Sequence, residues 1–225
     1  MFHKGEKIMA KMKNFVDATY DNQNVYLIIN NQNEAIMIDA SNAAKRAIEY
    51  IKQKKLTLKA LFITHGHIDH YDGLDNVLKE YPDLKIYIQK IDLRLLSQHK
   101  VDDETGEILG PGINYPLTNI VALNGDTVVE EIGYHIEIFH IPGHTAGTQM
   151  LRIKALNLVT TGASLMPDKT SPGYTGTMCN DNYFITELRR ITNLDAKWHV
   201  LPGHNKPFRM AHALAEKVIT LEEDT

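Results

Sequence analysis

With 225 residues, 43% of them hydrophobic and 23% charged, the chain can build one substantial core and has the composition of a globular protein, not of a disordered or fibrous one. A net charge of -4 without a basic stripe argues against nucleic acid as a partner, and no apolar run approaches membrane-spanning length. The single cysteine, Cys179, excludes an internal disulfide, and the opening MFHKGEKIMAKMKNF lacks the apolar segment and cleavage site of a secretory signal. The expectation is a cytoplasmic protein forming a single domain over residues 1–225, with no membrane segment. The sequence sets no oligomeric state.

NVYLIIN and EAIMIDA are β-rich runs separated by NQN, which predicts a hairpin with a polar turn. A helix follows in SNAAKRAIEYIKQKK, with Ser41 as its cap and Ala44, Ile48 and Ile51 at helical spacing. Its lysines Lys52, Lys54 and Lys55 read as a solvated end. LKALFIT is a short continuous apolar run, as expected of a buried strand. GLDNVLKEYP predicts a helix closed by Pro82, LKIYI a strand, and IDLRLLSQHK a helix. Val101 to Asn119, rich in Gly, Pro and Asp, reads as a long loop. DTVVE, YHIEIFHI, TQMLRI and NLVTTG are further strands. NDNYFITELRRIT is a helix capped by Asn180 or Asp181, with Phe184, Leu188 and Ile191 on one stripe. WHVLPGH is a strand and turn, and a last helix runs from Pro207 to about Leu221. Two runs of strands and helices predict two sheets packed face to face, with helices outside.

The chemistry concentrates in ITHGHIDHYDG, straight after a buried strand. It places His65, His67, Asp69 and His70 within six positions. Imidazole nitrogen and carboxylate oxygen are ligand types that zinc accepts in hydrolytic sites. At H-x-H spacing two rings can converge on one ion, while Asp69 and His70 face the other way and hold a second; catalytic metal pairs stand about 3.5–4 Å apart. His144 and His204 each follow a Pro-Gly turn at the end of a strand, in HIPGHTAGT and HVLPGHN, which lets the ring point back over the sheet edge.

THGHIDHYDG, PGHTAGT and LPGHN resemble the signature of the metallo-β-lactamase-fold hydrolases, in that family's order and from about Asn24 to His204. The resemblance implies an α/β fold, a four-layer αββα sandwich with metals at one edge of the sheets. It implies His65, His67 and His144 around a first metal, and Asp69, His70 and His204 around a second. It gives Asp39, at the end of IMIDA, a supporting role. It implies hydrolysis by a zinc-activated hydroxide, with Asp69 also orienting the nucleophile, and a small-molecule substrate. Iron or manganese could replace zinc.

One position departs from the pattern. Where the glyoxalase-II-like branch carries an Asp bridging both metals, Gly162 is followed here by Ala163 and then Ser164. A methyl group cannot ligate, and a neutral serine is a poor substitute. One zinc is therefore expected to bind tightly and a second more weakly, with Asp168 and Cys179 as possible replacement ligands. The gap also argues against an iron-dependent persulfide dioxygenase, which needs that carboxylate in its facial triad.

The stretch from TTGASLMPDKTSPGYTG to LPGH is similar to short hydroxyacylglutathione hydrolase-like proteins. Only Asn205 to Thr225 follow His204, too little for the added helical domain of full-length glyoxalase II, which argues against glutathione specificity. A thioester is the expected substrate. The alternatives are a lactonase or β-lactamase of the same fold, or a non-catalytic binding protein on a degenerate scaffold. Lys169 and Tyr174 could touch a substrate carboxylate, against the plainer reading as loop residues. His140, four residues before His144, is a candidate outer partner behind a ligand histidine. His3, His99, His135, His199 and His212 fit no ligand spacing.

Overall fold

A computed structural model describes residues 10–97, 100–101, 108–110, 118–170 and 181–218. The expected hairpin is present, as β2 (Gln23–Ile29) and β3 (Glu34–Ile38). Its turn closes on Asn30, whose Oδ1 accepts from the backbone N–H groups of Gln32 and Glu34, both at 2.9 Å. An edge strand precedes it, β1 (Lys11–Asp17), antiparallel to β2. KMKNFVD carries too many polar residues to show an apolar period, so this strand is not legible in the sequence.

After α1 (Ala44–Lys54) the chain enters β4 (Thr57–Phe62), α2 (Leu74–Glu80) and β5 (Lys85–Gln89). Ser41 is not the cap of α1. It sits in the preceding turn, where its hydroxyl accepts from Ala43 N–H at 3.2 Å. Then come α3 (Leu93–Ser97), β6 (Lys100–Val101), β7 (Ile108–Gly110) and β8 (Ile120–Leu123). The expected long loop therefore contains a short antiparallel pair, β6 with β7; backbone pairing supplied order where side-chain period supplied no signal. The first sheet has the order β1-β2-β3-β4-β5-β8, parallel from β3 onward.

The second sheet is assembled from β9 (Thr127–Glu131), β10 (Tyr134–His140), β11 (Gln149–Ile153), β12 (Leu158–Gly162), β13 (His199–Pro202) and β14 (Phe208–Arg209), in the reverse of that order. Between β12 and β13 the chain forms α4 (Asp181–Thr192), and α5 (Met210–Ala215) follows β14. The last helix thus starts later than Pro207, because Phe208 and Arg209 pair with Val200 and His199 instead of coiling. Asn180, Tyr174 and Cys179 lie outside the described residues, as do His3 and His99.

Alternating side chains divide the core into three layers. Val25, Leu27, Ala35 and Met37 face α1 and α2. Tyr26, Ile28, Ile36, Ile38 and Phe62 meet Ile136, Ile138, Leu151 and Leu201 between the sheets. Met150, Val159 and Val200 turn to Phe184, Leu188 and Ile191 of α4. This is the αββα sandwich, and it explains why β2 is buried at all seven positions: a sheet covered on both faces needs apolar side chains in both directions. Among the described residues no helix is long and apolar enough to cross a membrane.

Phe62 is fully buried in the middle layer and stacks on Tyr87 with ring centroids 4.7 Å apart. Phe62→Ala is expected to lower the unfolding free energy by about 3–5 kcal/mol, as large-to-small changes in close-packed cores do. Urea denaturation of the two chains measures it.

Candidate metal centre

β4 delivers the cluster to the sheet edge. Beyond Phe62 the chain leaves the sheet, and Ile68–His70 winds into a 3-10 turn. His65, His67 and His144 bring ligand atoms within 4.8 Å of one another, and so do Asp69, His70 and His204. Within the first trio, His65 Nε2 and His67 Nδ1 stand 3.1 Å apart. Within the second, His70 Nε2 lies 3.3 Å from His204 Nε2 and 3.4 Å from Asp69 Oδ2, and His204 Nε2 lies 3.0 Å from Asp69 Oδ2. The trios are side by side, with the rings of His65 and His70 4.0 Å apart.

Outer partners set which nitrogen of each ring carries its proton. His70 Nδ1–H donates to Asp39 Oδ2 at 2.8 Å, and His204 Nδ1–H to the carbonyl of Asp21 at 3.1 Å. Thr64 Oγ1 donates to Asp39 Oδ2 at 3.0 Å, so it accepts from His65 Nδ1, 3.1 Å away. In all three rings the Nε2 lone pair is then turned inward, as an imidazole ligand requires. Ring nitrogens and a carboxylate oxygen of the types that bind divalent metals converge at 3.0–3.4 Å, so the donor set fits a divalent metal at each trio.

The electrostatics agree. Burial and the neighbouring rings of His70, His67 and His144 push His65 well below the usual imidazole range. Burial, then His144 and His70, lower His67 from 6.5 to about 3. Both are neutral at pH 7, the form in which an imidazole can ligate a metal. Burial opposes ionisation of Asp69, but His70 and His204 outweigh it and hold the carboxyl well below its ordinary range. Burial likewise opposes the charge on His70, and the carboxylates of Asp69 and Asp39 outweigh that, raising it.

Glycines admit the close approaches. A β-carbon on Gly203 would stand 2.6 Å from His70 Cε1. Gly162 has φ +50 and ends β12 against the site: a β-carbon there would lie 3.3 Å from Thr64 Oγ1 and 3.5 Å from His65 Nδ1. Ala163 comes next in the chain and is buried.

Other expectations fare differently. Asp168 and Lys169 are exposed in the turn bridged by Leu165 and Thr170, and Asp168 belongs to neither trio. His140 touches the His144 loop through Ala146, whose carbonyl accepts from its Nε2 at 2.8 Å. His135, His199 and His212 belong to neither trio. The sequence reading missed Thr64, Asp92 and the turn between β1 and β2. In that turn Tyr20 donates to Asp72 Oδ2 at 3.1 Å, and burial together with Asp72 and Asp69 raises its pKa, keeping the hydroxyl protonated. Asn24 was another: its Nδ2 donates to the carbonyls of Pro202 at 3.0 Å and Asn205 at 2.7 Å, tying the His204 loop to the first sheet. None of these has a signal in local spacing.

A buried histidine with a depressed pKa binds its proton more readily in the unfolded chain. His67 therefore makes the metal-free protein less stable as pH falls from 6.5 towards 3, and has no such effect above that window. Denaturant midpoints of the metal-free chain at pH 7.5 and 5 should fall with acid, and His67→Asn should shrink the fall. An equal fall in both chains would assign the acid sensitivity elsewhere.

Residues 18–204 match the model of the Metallo-beta-lactamase superfamily. A hydroxyacylglutathione hydrolase of Tolumonas auensis is 31% identical over 123 residues, 55% of this chain and 40% of that protein. The hydroxyacylglutathione hydrolase GloC of Haemophilus influenzae is 30% identical over 132 residues, 59% of this chain and 61% of that protein. The aligned part thus spans less than two thirds of either relative. Among solved structures, the B3 metallo-beta-lactamase BLEG-1 superimposes with a TM-score of 0.75 at 19% identity, covering 90% of this chain and 96% of that one. TTHA1623 in a di-iron-bound form does so with a TM-score of 0.66 at 23% identity, covering 86% and 93%. With the family model covering most of its length, the chain belongs to the metallo-β-lactamase superfamily.

Proposed function

We propose that the protein is a metal-dependent hydrolase of small thioesters, with His65, His67 and His144 holding a first metal and Asp69, His70 and His204 a second. A single domain over residues 1–225 carries the reaction, zinc is the resident metal and the cytoplasm its setting. What carries this reading is the pairing of the trios: two sets of three ligand-type side chains stand side by side, with the rings of His65, His70 and His204 held by outer partners. The hydroxyacylglutathione hydrolase relatives support the thioester class.

When bound, such metals supply Lewis acidity and make water nucleophilic at neutral pH. The chain's residues do the rest. Asp69, kept ionised by His70 and His204, accepts a hydrogen bond from the attacking water and aligns it with the carbonyl. Asp39 and the Asp21 carbonyl hold the rings of His70 and His204 in their ligating orientation. A thiolate departs without needing a proton, whereas an amine needs a donor. With Ala163 in place of a bridging carboxylate, the second trio has one anionic donor, Asp69. A site weakened in this way favours the easier leaving group, hence thioester over lactam.

S-lactoylglutathione, an acyl-homoserine lactone and a cephalosporin, each assayed with added zinc, separate the possibilities. The thioester is expected to turn over fastest, and His67→Ala to abolish the activity. Turnover of none of the three would move the protein to the non-catalytic class, and unchanged turnover by His67→Ala would remove the mechanism.

Ala163→Asp is expected to retain a second ion through dialysis that the parent chain loses, with a gain in turnover. Metal analysis of both chains reads the first effect directly. Two ions held equally by the parent would contradict the proposed ranking of the sites.

A further inference from the structure

Asp92 lies in the 3-10 turn Lys90–Asp92 between β5 and α3 and is 1% exposed. Its Oδ2 accepts two hydrogen bonds, from the backbone N–H of Gly66 at 2.8 Å and from the hydroxyl of Thr145 at 2.7 Å. Gly66 stands between His65 and His67, and Thr145 follows His144. One carboxylate oxygen thus joins the two loops that supply the first trio. Those loops come from different sheets, after β4 and after β10.

The surroundings make this joint stiff. Thr148 Oγ1 accepts from Thr145 N–H at 2.8 Å and lies 3.0 Å from Thr145 Oγ1, so the hydroxyl that meets Asp92 is held from behind. Two glycines let the segment come close. A β-carbon on Gly147 would stand 2.4 Å from Asp92 Cγ, and one on Gly66 would stand 2.5 Å from Leu95 Cδ1. A carboxylate removed from water is costly unless its donors are good ones, and hydrogen bonds to an ionised acceptor are among the strongest available. The second trio hangs on other groups, with His70 on Asp39 and His204 on the Asp21 carbonyl.

We infer that Asp92 is a positioning residue for the first trio alone, setting the spacing of His65 and His67 against His144. This rests on the reading that the trios hold metals. Partners behind a ligand shell are typically worth about 10- to 100-fold in metal affinity.

The test is Zn²⁺ affinity, measured by competition with a chromophoric chelator, in two backgrounds that isolate one trio each. In His204→Ala, where the first trio remains intact, Asp92→Ala and Thr145→Val should each weaken Zn²⁺ binding by about 10- to 100-fold, and Thr145→Ser should restore it. In His144→Ala, where the second trio remains, the same changes should leave the affinity within about threefold. Unaltered affinity in the first background, equal losses in both, or no rescue by serine would overturn the inference. Thr145→Val carries the test if Asp92→Ala fails to fold, and the serine rescue decides if the second trio binds too weakly to titrate. If His204→Ala with Asp92 intact binds no Zn²⁺, the metal reading itself fails, and this inference with it.

Discussion

The buried carboxylate of Asp39 is the point on which the rest of the site turns. It stands at the end of β3, 1% exposed, with φ +58, a left-handed conformation that Asp tolerates better than most residues. Its Oδ1 accepts from the backbone N–H of Thr64 at 2.7 Å, and its Oδ2 takes the Thr64 hydroxyl and the ring of His70. Thr64 in turn orders His65. One side chain therefore reaches the first trio through Thr64 and the second directly. A carboxylate so deeply buried persists because every one of these donors is present. A backbone turn at Asp39 that aimed the side chain differently would release both trios.

The same economy governs how the two sheets meet. Apolar side chains fill the space between them, but their relative placement at the edge that carries the trios is set by a few polar bridges. Asn24 and Tyr26 of β2 reach the Pro202 carbonyl at the end of β13, the tyrosine hydroxyl at 2.7 Å. Gln149 at the start of β11 donates its side-chain amide to the carbonyl of Ile63 at 2.9 Å, and its backbone N–H to that of Thr64 at 2.9 Å. Hydrophobic burial is non-directional and would tolerate small slips of one sheet over the other. Directional bonds at the edge do not, and two clusters of ligand-type side chains drawn from both sheets need that restriction.

The polar density of this edge runs against stability. Burial and neighbouring rings make His65 and His67 resist protonation, and the ring nitrogens of His70 and His204 stand 3.3 Å apart. Structures tolerate such conflict at functional sites when the surrounding framework over-determines the geometry. Here the framework is two six-stranded sheets with a helical layer on each outer face. Gly203 lies where the His204 turn passes too near the His70 ring to carry a side chain, and Gly162 ends β12 at φ +50, a conformation that suits glycine.

Much of this was legible from residues alone, for a local reason. Ligand identity and the H-x-H-x-D-H spacing lie within one turn of chain, the Pro-Gly turns before His144 and His204 are punctuation, and strand alternation needs no partner to be seen. Strands of mixed polarity such as β1, and short ones such as β14, were not legible, because pairing with a neighbour stabilises them where side-chain period does not. Nor was the site's support: Thr64, Asp92, Asn24 and Gln149 are ordinary polar residues until the fold brings them to backbone groups far away in sequence. The sequence by itself therefore determined which donors exist and in what local order. Only the tertiary structure decided how those donors are aimed, because aim depends on hydrogen bonds between segments that meet only when two sheets pack.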